Sequence, residues 1–323
     1  MAVRMQEMMQ TVSDVYRQFI PSEKGQSLEE QLYPWSLDAI GEIMVEPFHP
    51  HELDPQSLAF CMQMMTVEAQ HWSDYHAWAE WVSNKEVKSL LEKLARAEHI
   101  HHQRIMSLLP VPHAPSEQVL SMETALLMAC QNCMDKEPND SIKNAFNYIF
   151  QDHLMHAEFA ATDVQTKGCP PAAITGGAEL SGGRRMEAQF VKVEATMWQD
   201  KFDGSYSKDT VDPQTLLNVD MSIAGEIGAW HGYHCATQNT EERPIKTAWM
   251  AFQGIESQHL AILGSIKDPS ETMMERALVH EQVEIKNYRM MMDSDINPRV
   301  KGLFEDLCKE DLQQAWELGQ LVK

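Results

Sequence analysis

Apolar residues recur at three- and four-residue spacing along most of the 323-residue chain, and no segment shows sustained alternation of apolar and polar positions. The first pattern is typical of helices packed on a core, whereas strict alternation would indicate strands. The sequence therefore predicts an all-α protein. Predicted helices cover residues 3–20, 27–45, 56–83, 86–109, 116–135, 139–166, 183–202, 214–238, 243–266, 270–293 and 297–321.

The second half of the chain repeats the first with a constant shift of 158 residues (226 minus 68). Identical residues recur at the same spacing in both halves: Glu68 and Glu226, Trp72 and Trp230, Tyr75 and Tyr233, His76 and His234. The same shift relates three further pairs of segments: Glu98-x-x-His101 and Glu256-x-x-His259, Glu123 and Glu281, Asp152 and Glu310. A constant shift through four segments indicates an internal duplication.

Each repeat is expected to form its own antiparallel four-helix bundle, because the predicted connections between its helices are short. The repeats span 23–167 and 184–323, with the Gly/Pro-rich linker 168–183 between them and a lone helix in 1–22. Each bundle gains one extra helix on its N-terminal side. Helix starts are expected at Asp54-Pro55 and Asp212-Pro213, and Ser116 and Ser270 are expected to be N-cap residues.

Carboxylates of one repeat are expected to meet at mid-height of its bundle. Glu123 and Asp152 each lie about 12 residues from the predicted turn at 136–139, so antiparallel helices place them at equal height. Glu68 and the pair Glu98/His101 are expected to join them from the first two helices. Residues three apart are neighbours on a helix, so the E-x-x-H presents its carboxylate and imidazole on one face.

Four helices that each deliver a carboxylate, two of them with a histidine, indicate a site for two divalent cations. Two such cations need about four carboxylates for neutrality in a dry core, and neutral imidazoles complete the ligand set. Asp152 is preferred to His153 as a ligand, because an acid recurs at Glu310. His71, Tyr75 and His153 are candidates for side chains that contact the ligands, with His153 as a reserve ligand.

The pattern Glu … Glu-x-x-His … Glu … Asp-x-x-x-His resembles the ferritin-like di-metal carboxylate superfamily, especially its rubrerythrin-type bundles, here in tandem. The resemblance covers nearly all of residues 56–166 and 214–321. It implies these metal ligands: Glu68, Glu98, His101, Glu123, Asp152 and His156 in the first repeat, and Glu226, Glu256, His259, Glu281 and Glu310 in the second. Glu284 adds an E-x-x-E to the third helix of repeat two, which is also similar to rubrerythrins.

Two features depart from the pattern. The link between the second and third helices is too short for the long crossover that ferritins use. Gln314 stands where repeat one has His156, so the site of repeat two is expected to be more anionic and to tolerate Mn²⁺, Mg²⁺ or Ca²⁺. Repeat one is therefore expected to hold iron and to catalyse, with loss of His101 abolishing activity. Repeat two is expected to be a second or degenerate metal site.

The resemblance and the ligand types together imply a non-haem di-iron or iron–manganese oxidase or oxygenase that activates O₂ or peroxide. Iron is the expected metal and manganese the alternative. The organic substrate is unknown, and any electron donor is expected to be a separate protein, because the sequence shows no Cys₄ rubredoxin-like iron domain. The alternative functions are metal handling or peroxide scavenging without an organic substrate, and a structural bundle without metal.

Composition restricts the expected partners. A net charge of −22 argues against nucleic acid or an anionic membrane as a partner. No apolar run of about 20 residues is present to span a membrane, and the N-terminal residues lack the apolar segment of a secretory signal. The six cysteines show no disulfide framework, so a cytoplasmic protein is expected. A homodimer is left open.

Overall fold

A computed structural model describes residues 47–49, 52–109, 114–167, 205–294 and 296–321. This part of the chain contains no strand, which confirms the predicted all-α class. It consists of eight helices: α1 Pro55–Trp81, α2 Lys85–Leu108, α3 Pro115–Lys136, α4 Asp140–Thr166, α5 Pro213–Asn239, α6 Arg243–Ile266, α7 Met273–Met292 and α8 Pro298–Leu321. Their ends agree with the predicted ends within three residues. None of these helices is long and apolar enough to cross a membrane.

Three predicted helices, at 3–20, 27–45 and 183–202, lie outside the described residues, as does the predicted linker. Two predicted helix starts are found as expected. Asp54 accepts a hydrogen bond from a backbone N–H of α1 at 2.8 Å, and Asp212 accepts one from α5 at 2.7 Å, each just before a proline. Side-chain capping and a proline in the first turn both favour a helix start at these positions.

The two predicted serine caps are wrong. Helix α3 begins after Ala114, so Ser116 lies inside the helix, where its hydroxyl donates to the buried carboxylate of Asp163. Helix α7 is capped by Thr272, two residues beyond Ser270. In both cases the helix begins at a different residue from the nearest serine, which is a common error for boundaries read from sequence.

The helices pack as four hairpins of consecutive helices, α1–α2, α3–α4, α5–α6 and α7–α8, and the hairpins pair across the duplication. Helices α1 and α2 pack against α7 and α8, and we call this set group A. Helices α3 and α4 pack against α5 and α6, and we call this set group B. The expectation that each repeat, 23–167 or 184–323, packs around its own core is therefore wrong, because each group takes one hairpin from each repeat.

Side-chain contacts give the relative directions of the helices in group A. Glu68 on α1 contacts Tyr288 on α7, and Tyr75, two turns later on α1, contacts the carbonyl of Ala277, so these helices are antiparallel. The contacts between α2 and α8 show that these two helices are antiparallel as well. The four helices therefore form a ring, α1–α2–α8–α7, in which every neighbour is antiparallel and the diagonal helices are parallel.

The lengths of the connections explain why hairpins of different repeats meet. Only residues 109–114 separate α2 from α3, and six residues span at most about 20 Å. Helix α2 has 24 residues and is therefore about 36 Å long. In group A, the place beside α1 is taken by α7, which runs parallel to α2. If α3 took that place, it would have to begin at the end of the bundle where α2 begins. The link from the end of α2 would then have to be as long as α2 itself. The short link instead carries α3 into group B, and α7 lies beside α1.

Helix α1 of group A packs against helix α5 of group B where the two groups meet, and both helices contain a stretch that is buried on every side. Residues 59–64 of α1 and 218–222 of α5 are all buried. A helix in an isolated bundle has one apolar stripe, whereas a helix that is buried on all sides has none. These unbroken buried stretches therefore fit a central position between two groups of helices.

Glycines on α5 allow close approach to its neighbours. A Cβ atom on Gly228 would lie 2.3 Å from Cγ2 and 2.6 Å from Cβ of Thr66 on α1. A Cβ on Gly232 would lie 2.3 Å from Sδ of Met122 on α3. The Cβ atom of Thr66 cannot rotate away from such a contact, because it is attached directly to the backbone. Gly228 is therefore the position at which contact between groups A and B depends on the absence of a side chain.

Replacing Gly228 with alanine is expected to lower the free energy of unfolding by about 1–3 kcal/mol, because the helices must move apart. Gly254 on α6 is the matched control, since a Cβ there would meet nothing within 4 Å. Gly254→Ala should stabilise the protein by up to about 1 kcal/mol through helix propensity alone. Denaturant unfolding measures both changes, and a Gly228→Ala protein at least as stable as the wild type would contradict this packing.

Candidate metal centres

Group B encloses a cluster of three carboxylates and three imidazoles, which we call centre B. None of its six residues is more than 1% exposed: Glu123, His153, His156, Glu226, Glu256 and His259. They form two sets of four whose potential ligand atoms lie within 4.8 Å of one another, and the sets share His153 and Glu256. Two overlapping sets are the arrangement that a pair of neighbouring metal ions requires, with a shared carboxylate available between them.

Hydrogen-bonding distances join the side chains of centre B. His153 lies between two glutamates, with Nδ1 2.9 Å from Glu123 Oε2 and Nε2 3.0 Å from Glu226 Oε1. His259 Nδ1 lies 2.9 Å from Glu226 Oε2 and 3.0 Å from Glu256 Oε2. These distances bring ligand atoms from all four helices of group B to one point at mid-height.

His156 shows that the hydrogen bonds of the protein alone do not satisfy centre B. Among the described residues, neither of its ring nitrogens has a hydrogen-bond partner, and Oε1 of Glu256, 3.2 Å from His156 Nδ1, has none either. Buried polar atoms are nearly always paired, and unpaired ones are costly. A cation bound between these atoms would satisfy both.

Group A encloses the equivalent cluster, centre A, which has one imidazole and five carboxylates. All six residues are fully buried: Glu68, Glu98, His101, Glu281, Glu284 and Asp311. His101 Nδ1 lies 3.3 Å from Glu68 Oε2 and 3.3 Å from Asp311 Oδ1. Asp311 belongs both to a set with Glu68 and His101 and to a set with the other three acids. Each of the five acids has at least one oxygen that no described residue hydrogen-bonds.

The structure corrects the expectation that the ligands of one repeat converge. Glu68, Glu98 and His101 of repeat one lie in centre A, whereas Glu123 and His156 of the same repeat lie in centre B. Repeat two is divided in the same way, with these positions: Glu226, Glu256 and His259 in centre B, and Glu281 and Glu284 in centre A. The physical reason is the exchange of hairpins, because a ligand pair on α1 and α2 meets α7 and α8 rather than α3 and α4.

Asp152 and Glu310 lie on the outer side of the imidazoles of the two repeated E-x-x-H motifs, His259 and His101 respectively. Asp152 Oδ2 lies 3.0 Å from His259 Nε2, and Glu310 Oε2 lies 2.9 Å from His101 Nε2. Both carboxylates are partly exposed, at 20% and 22%. A carboxylate in this position fixes the ring so that Nδ1 faces the centre and Nε2–H faces outward.

The structure does not group Asp152 and Glu310 with the potential ligand atoms of either centre, and it favours His153 over Asp152 as a potential ligand. His153 and its equivalent Asp311 are fully buried and face the centres. Successive residues of a helix differ in direction by about 100°, so one position on α4 or α8 faces the centre and its predecessor does not. The acid recurs at 152 and 310 because each orients an imidazole.

Three buried tyrosines donate hydrogen bonds to carboxylates of the centres: Tyr233 to Glu123, Tyr75 to Glu281 and Tyr288 to Glu68. Burial, together with the neighbouring carboxylates, raises the pKa of each phenol well above its usual value. The hydroxyls therefore stay protonated and donate. Each donation engages one oxygen of a glutamate and leaves the other facing the centre.

A third cluster at the boundary between the groups supports centre A. His71 Nδ1 lies 2.5 Å from Glu284 Oε1, and its Nε2 lies 3.5 Å from Asp220 Oδ2 on α5. The ring stacks on His280 with centroids 3.9 Å apart, and Lys267 Nζ lies 2.9 Å from Asp220 Oδ1. Two parallel stacked rings cannot both direct a lone pair at one ion, so the cluster serves to hold Glu284.

Sequence reasoning missed Asp220 and His280, although each has a signal. Asp220 interrupts an apolar stretch of α5, and such a buried acid needs a partner. His280 directly precedes the ligand Glu281, but nothing in repeat one matches it, since Met122 occupies the equivalent position. A comparison of the two repeats does not reveal His280, because this histidine occurs in repeat two only.

The acids of centre A raise one another's pKa. Burial and repulsion from Glu284 raise the pKa of Glu98 well above its usual value, and the same two causes raise the pKa of Asp311. Burial raises the pKa of Glu281 to about 8. Glu68 is the exception, because the adjacent His101 outweighs burial and lowers its pKa. Without a cation, centre A therefore holds several of its protons at neutral pH.

Imidazoles dominate the electrostatics of centre B. Burial opposes protonation of His153 and His259, but Glu226 and its neighbours outweigh burial and raise both pKa values well above the usual one. The same attraction lowers the pKa of Glu226 well below its usual value, against the effect of burial. Centre B in its metal-free form is thus a network of imidazolium–carboxylate pairs, and binding of a cation would release protons from it.

Metal-free protein is expected to lose stability as the pH rises from about 5 to 8. The acids with raised pKa values, Glu281 among them, stabilise the folded state fully below an unfolded pKa of about 4.3 and lose that effect as the pH rises through the folded pKa. His153 and His259 act in the same direction above about pH 6.5. Acids with lowered pKa values, such as Glu226, change stability only below about pH 4.3.

Thermal unfolding of chelator-treated protein at about pH 6 and pH 8 measures this effect, and we expect the lower Tm at the higher pH. Metal-loaded protein is the control, because bound cations hold the ligands deprotonated and should remove most of the difference. A metal-free Tm that is equal or higher at pH 8 would contradict the crowding of acids in centre A.

Comparison of the chain with protein-family models, with curated proteins and with solved structures found no match in any of the three. The functional assignment therefore depends on the geometry of the centres. The described residues form buried His/Glu/Asp clusters that could hold metal ions, contributed by both halves of a duplicated all-helical chain.

Proposed function

We propose that the protein is a ferritin-like dinuclear-metal oxidoreductase that reacts with dioxygen or peroxide at centre B. Two equivalent buried clusters support this function, since each brings ligand atoms from four helices together and leaves several of them unpaired. A pair of iron or manganese ions would supply redox and Lewis-acid chemistry in such a site.

The directions of the helices support the ferritin-like assignment. A long crossover in a ferritin-like bundle makes the second and third helices parallel. In group A the helices in those places, α2 and α7, are also parallel, although they come from different repeats. The exchange of hairpins thus gives the four helices the same relative directions as in a ferritin-like bundle, without a long crossover. The short link is the departure that first set this chain apart from ferritins, and the exchange accounts for it.

The ligand sets support different roles for the two centres. With neutral imidazoles, the three carboxylates of centre B carry a charge of −3, whereas the five of centre A carry −5. Imidazole ligands suit iron, and carboxylates suit manganese, magnesium and calcium. We therefore assign iron to centre B and a harder cation to centre A. The earlier expectation that His101 belongs to the catalytic site is revised, because His101 lies in the carboxylate-rich centre.

The protein's own residues hold the ligands of centre B and exclude water. Asp152 fixes the ring of His259, and Tyr233 fixes Glu123. Phe252 stacks on His156 with ring centroids 4.0 Å apart, which restrains that ring. Exclusion of water strengthens every electrostatic interaction in the site. These contacts keep the ligand atoms at fixed positions as the charge of the centre changes.

Complete burial favours one second candidate, reduction of dioxygen or peroxide without an organic substrate. The six ligand side chains of centre B are at most 1% exposed, so a molecule of two or three atoms fits this environment better than a larger substrate. Electrons would then come from a separate donor protein through the surrounding helices. Product analysis with and without added organic reductants distinguishes this candidate from an oxygenase.

The matched pair His259→Ala and His101→Ala tests the assignment, because the two histidines occupy equivalent positions in centres B and A. Loss of His259 should remove iron from centre B and reduce peroxide- or dioxygen-dependent turnover by at least about 100-fold. Loss of His101 should lower the total metal content while most of the turnover remains. Metal analysis and oxygen consumption are the two measurements.

Equal loss of turnover in both variants would contradict the division between the centres. Unchanged turnover in both would contradict a metal-based reaction altogether. A wild-type protein that binds no transition metal after growth with added iron and manganese would rule out both candidate functions, and a structural bundle would remain.

A further inference from the structure

A polar pocket at the boundary between groups A and B contains two lysines, Lys136 and Lys286, that have no carboxylate partner among the described residues. The pocket is a shallow recess, partly open to solvent, with about 10 Å³ of internal space, and it is lined by α3, α5 and α7. Lys136 comes from α3 and lies 3.4 Å from Sδ of Met290, and Lys286 comes from α7 and donates to the amide oxygen of Gln214. Within the part of the chain that the structure describes, neither ammonium forms an ion pair.

The absence of an ion pair is unexpected in a chain with 48 acidic and 26 basic residues. Two nearby acids are engaged by neutral donors. Glu137 accepts hydrogen bonds from Asn218 Nδ2, Thr215 Oγ1 and a backbone N–H. Asp212 accepts the backbone N–H that caps α5. These two acids therefore do not neutralise the positive charge of the pocket.

An unpaired amide donor lines the same pocket. Asn287 on α7 is 4% exposed, and its Nδ2 atom has no hydrogen-bond partner in the part of the chain that the structure describes. Buried N–H groups are nearly always paired, so this donor indicates an acceptor that the protein itself does not supply. Asn132 on α3 adds a second amide to the lining. The pocket thus combines two ammonium groups with directed amide donors.

The duplication provides an internal comparison for these residues. The equivalent positions 158 residues away are uncharged and mostly apolar: Met128 for Lys286, Ala129 for Asn287, Phe60 for Asn218 and Ser294 for Lys136. Both boundaries are built from equivalent helices, so the packing of the helices does not require polar side chains at these positions. The polar set occurs at one boundary only, which is typical of a binding site rather than of a structural element.

We propose that this pocket binds the oxyanion group of a small ligand, a phosphate or a carboxylate, through Lys136, Lys286 and Asn287. Ammonium groups supply the charge, and the amide N–H supplies a directed hydrogen bond to an anionic oxygen. The bound anion would join α3 of group B to α7 of group A. Binding at this site does not depend on the metals or on turnover, so its test is separate from that of the proposed function.

The full-length protein is titrated with inorganic phosphate, glycerol 3-phosphate and succinate at constant ionic strength, and binding is followed by calorimetry and by Tm. At least one probe is expected to bind and to raise the Tm. Lys286→Met and Asn287→Ala install the residues of the equivalent boundary. Lys286→Met should weaken binding about tenfold or more, because a charge-assisted hydrogen bond is lost. Lys301→Met, which removes an exposed lysine of α8, is the control and should bind as the wild type does.

Binding of both phosphates without succinate would support the pocket and identify a phosphate ligand, and the reverse result would identify a carboxylate. No binding of any probe to the wild type would overturn the proposal, as would equal affinity in Lys286→Met and the wild type. Circular dichroism checks that the variants fold. Lys136→Ser changes an exposed side chain and supplies the same comparison if Lys286→Met does not fold.

Discussion

Compensation of buried negative charge is the constraint on which the rest of this structure depends. Eight carboxylates, five in centre A and three in centre B, lie at mid-height of the two groups of helices and are at most 1% exposed. An uncompensated ion in such a place costs several kcal/mol. The chain supplies only part of the compensation, through the four imidazoles of the centres, the adjacent His71 and three tyrosine hydroxyls. Bound cations would supply the remainder, and centre A, with a single imidazole, needs them most.

The exchange of hairpins joins this constraint to the fold. Neither centre is complete within one repeat, because Glu123 and His156 need α5 and α6, whereas Glu68 and His101 need α7 and α8. The hydrogen bond from Tyr75 to Glu281, for example, joins two residues that are 206 positions apart in the sequence. A bound cation would therefore stabilise contacts between the repeats and not only within them. The same exchange buries residues 59–64 of α1 and 218–222 of α5, and it places the lysine pocket of α3, α5 and α7 between the groups.

Much of this structure follows from the sequence, but the pairing of hairpins does not. The helices and their ends are predicted because the apolar period is strong, and the ligand types are predicted because the repeat is constant. A constant shift of 158 residues relates the two copies equally well whether a hairpin packs against its own repeat or against the other one. The stretch at 59–64, which is apolar except for Gln63, was the available signal for a central helix. The acid that recurs at 152 and 310 suggested a metal ligand at both positions. An acid that orients an imidazole also recurs in both repeats, so recurrence alone does not distinguish the two roles.

Anomalous diffraction from crystals of the metal-loaded protein, recorded at the iron and manganese absorption edges, tests the central claim most directly. The account predicts two separate sites, with each metal position bound by residues of both repeats. One site lies between Glu226, Glu256 and His259 on one side and Glu123 and His156 on the other. Metal peaks coordinated by residues of a single repeat, or the absence of any anomalous peak after loading with both metals, would contradict it.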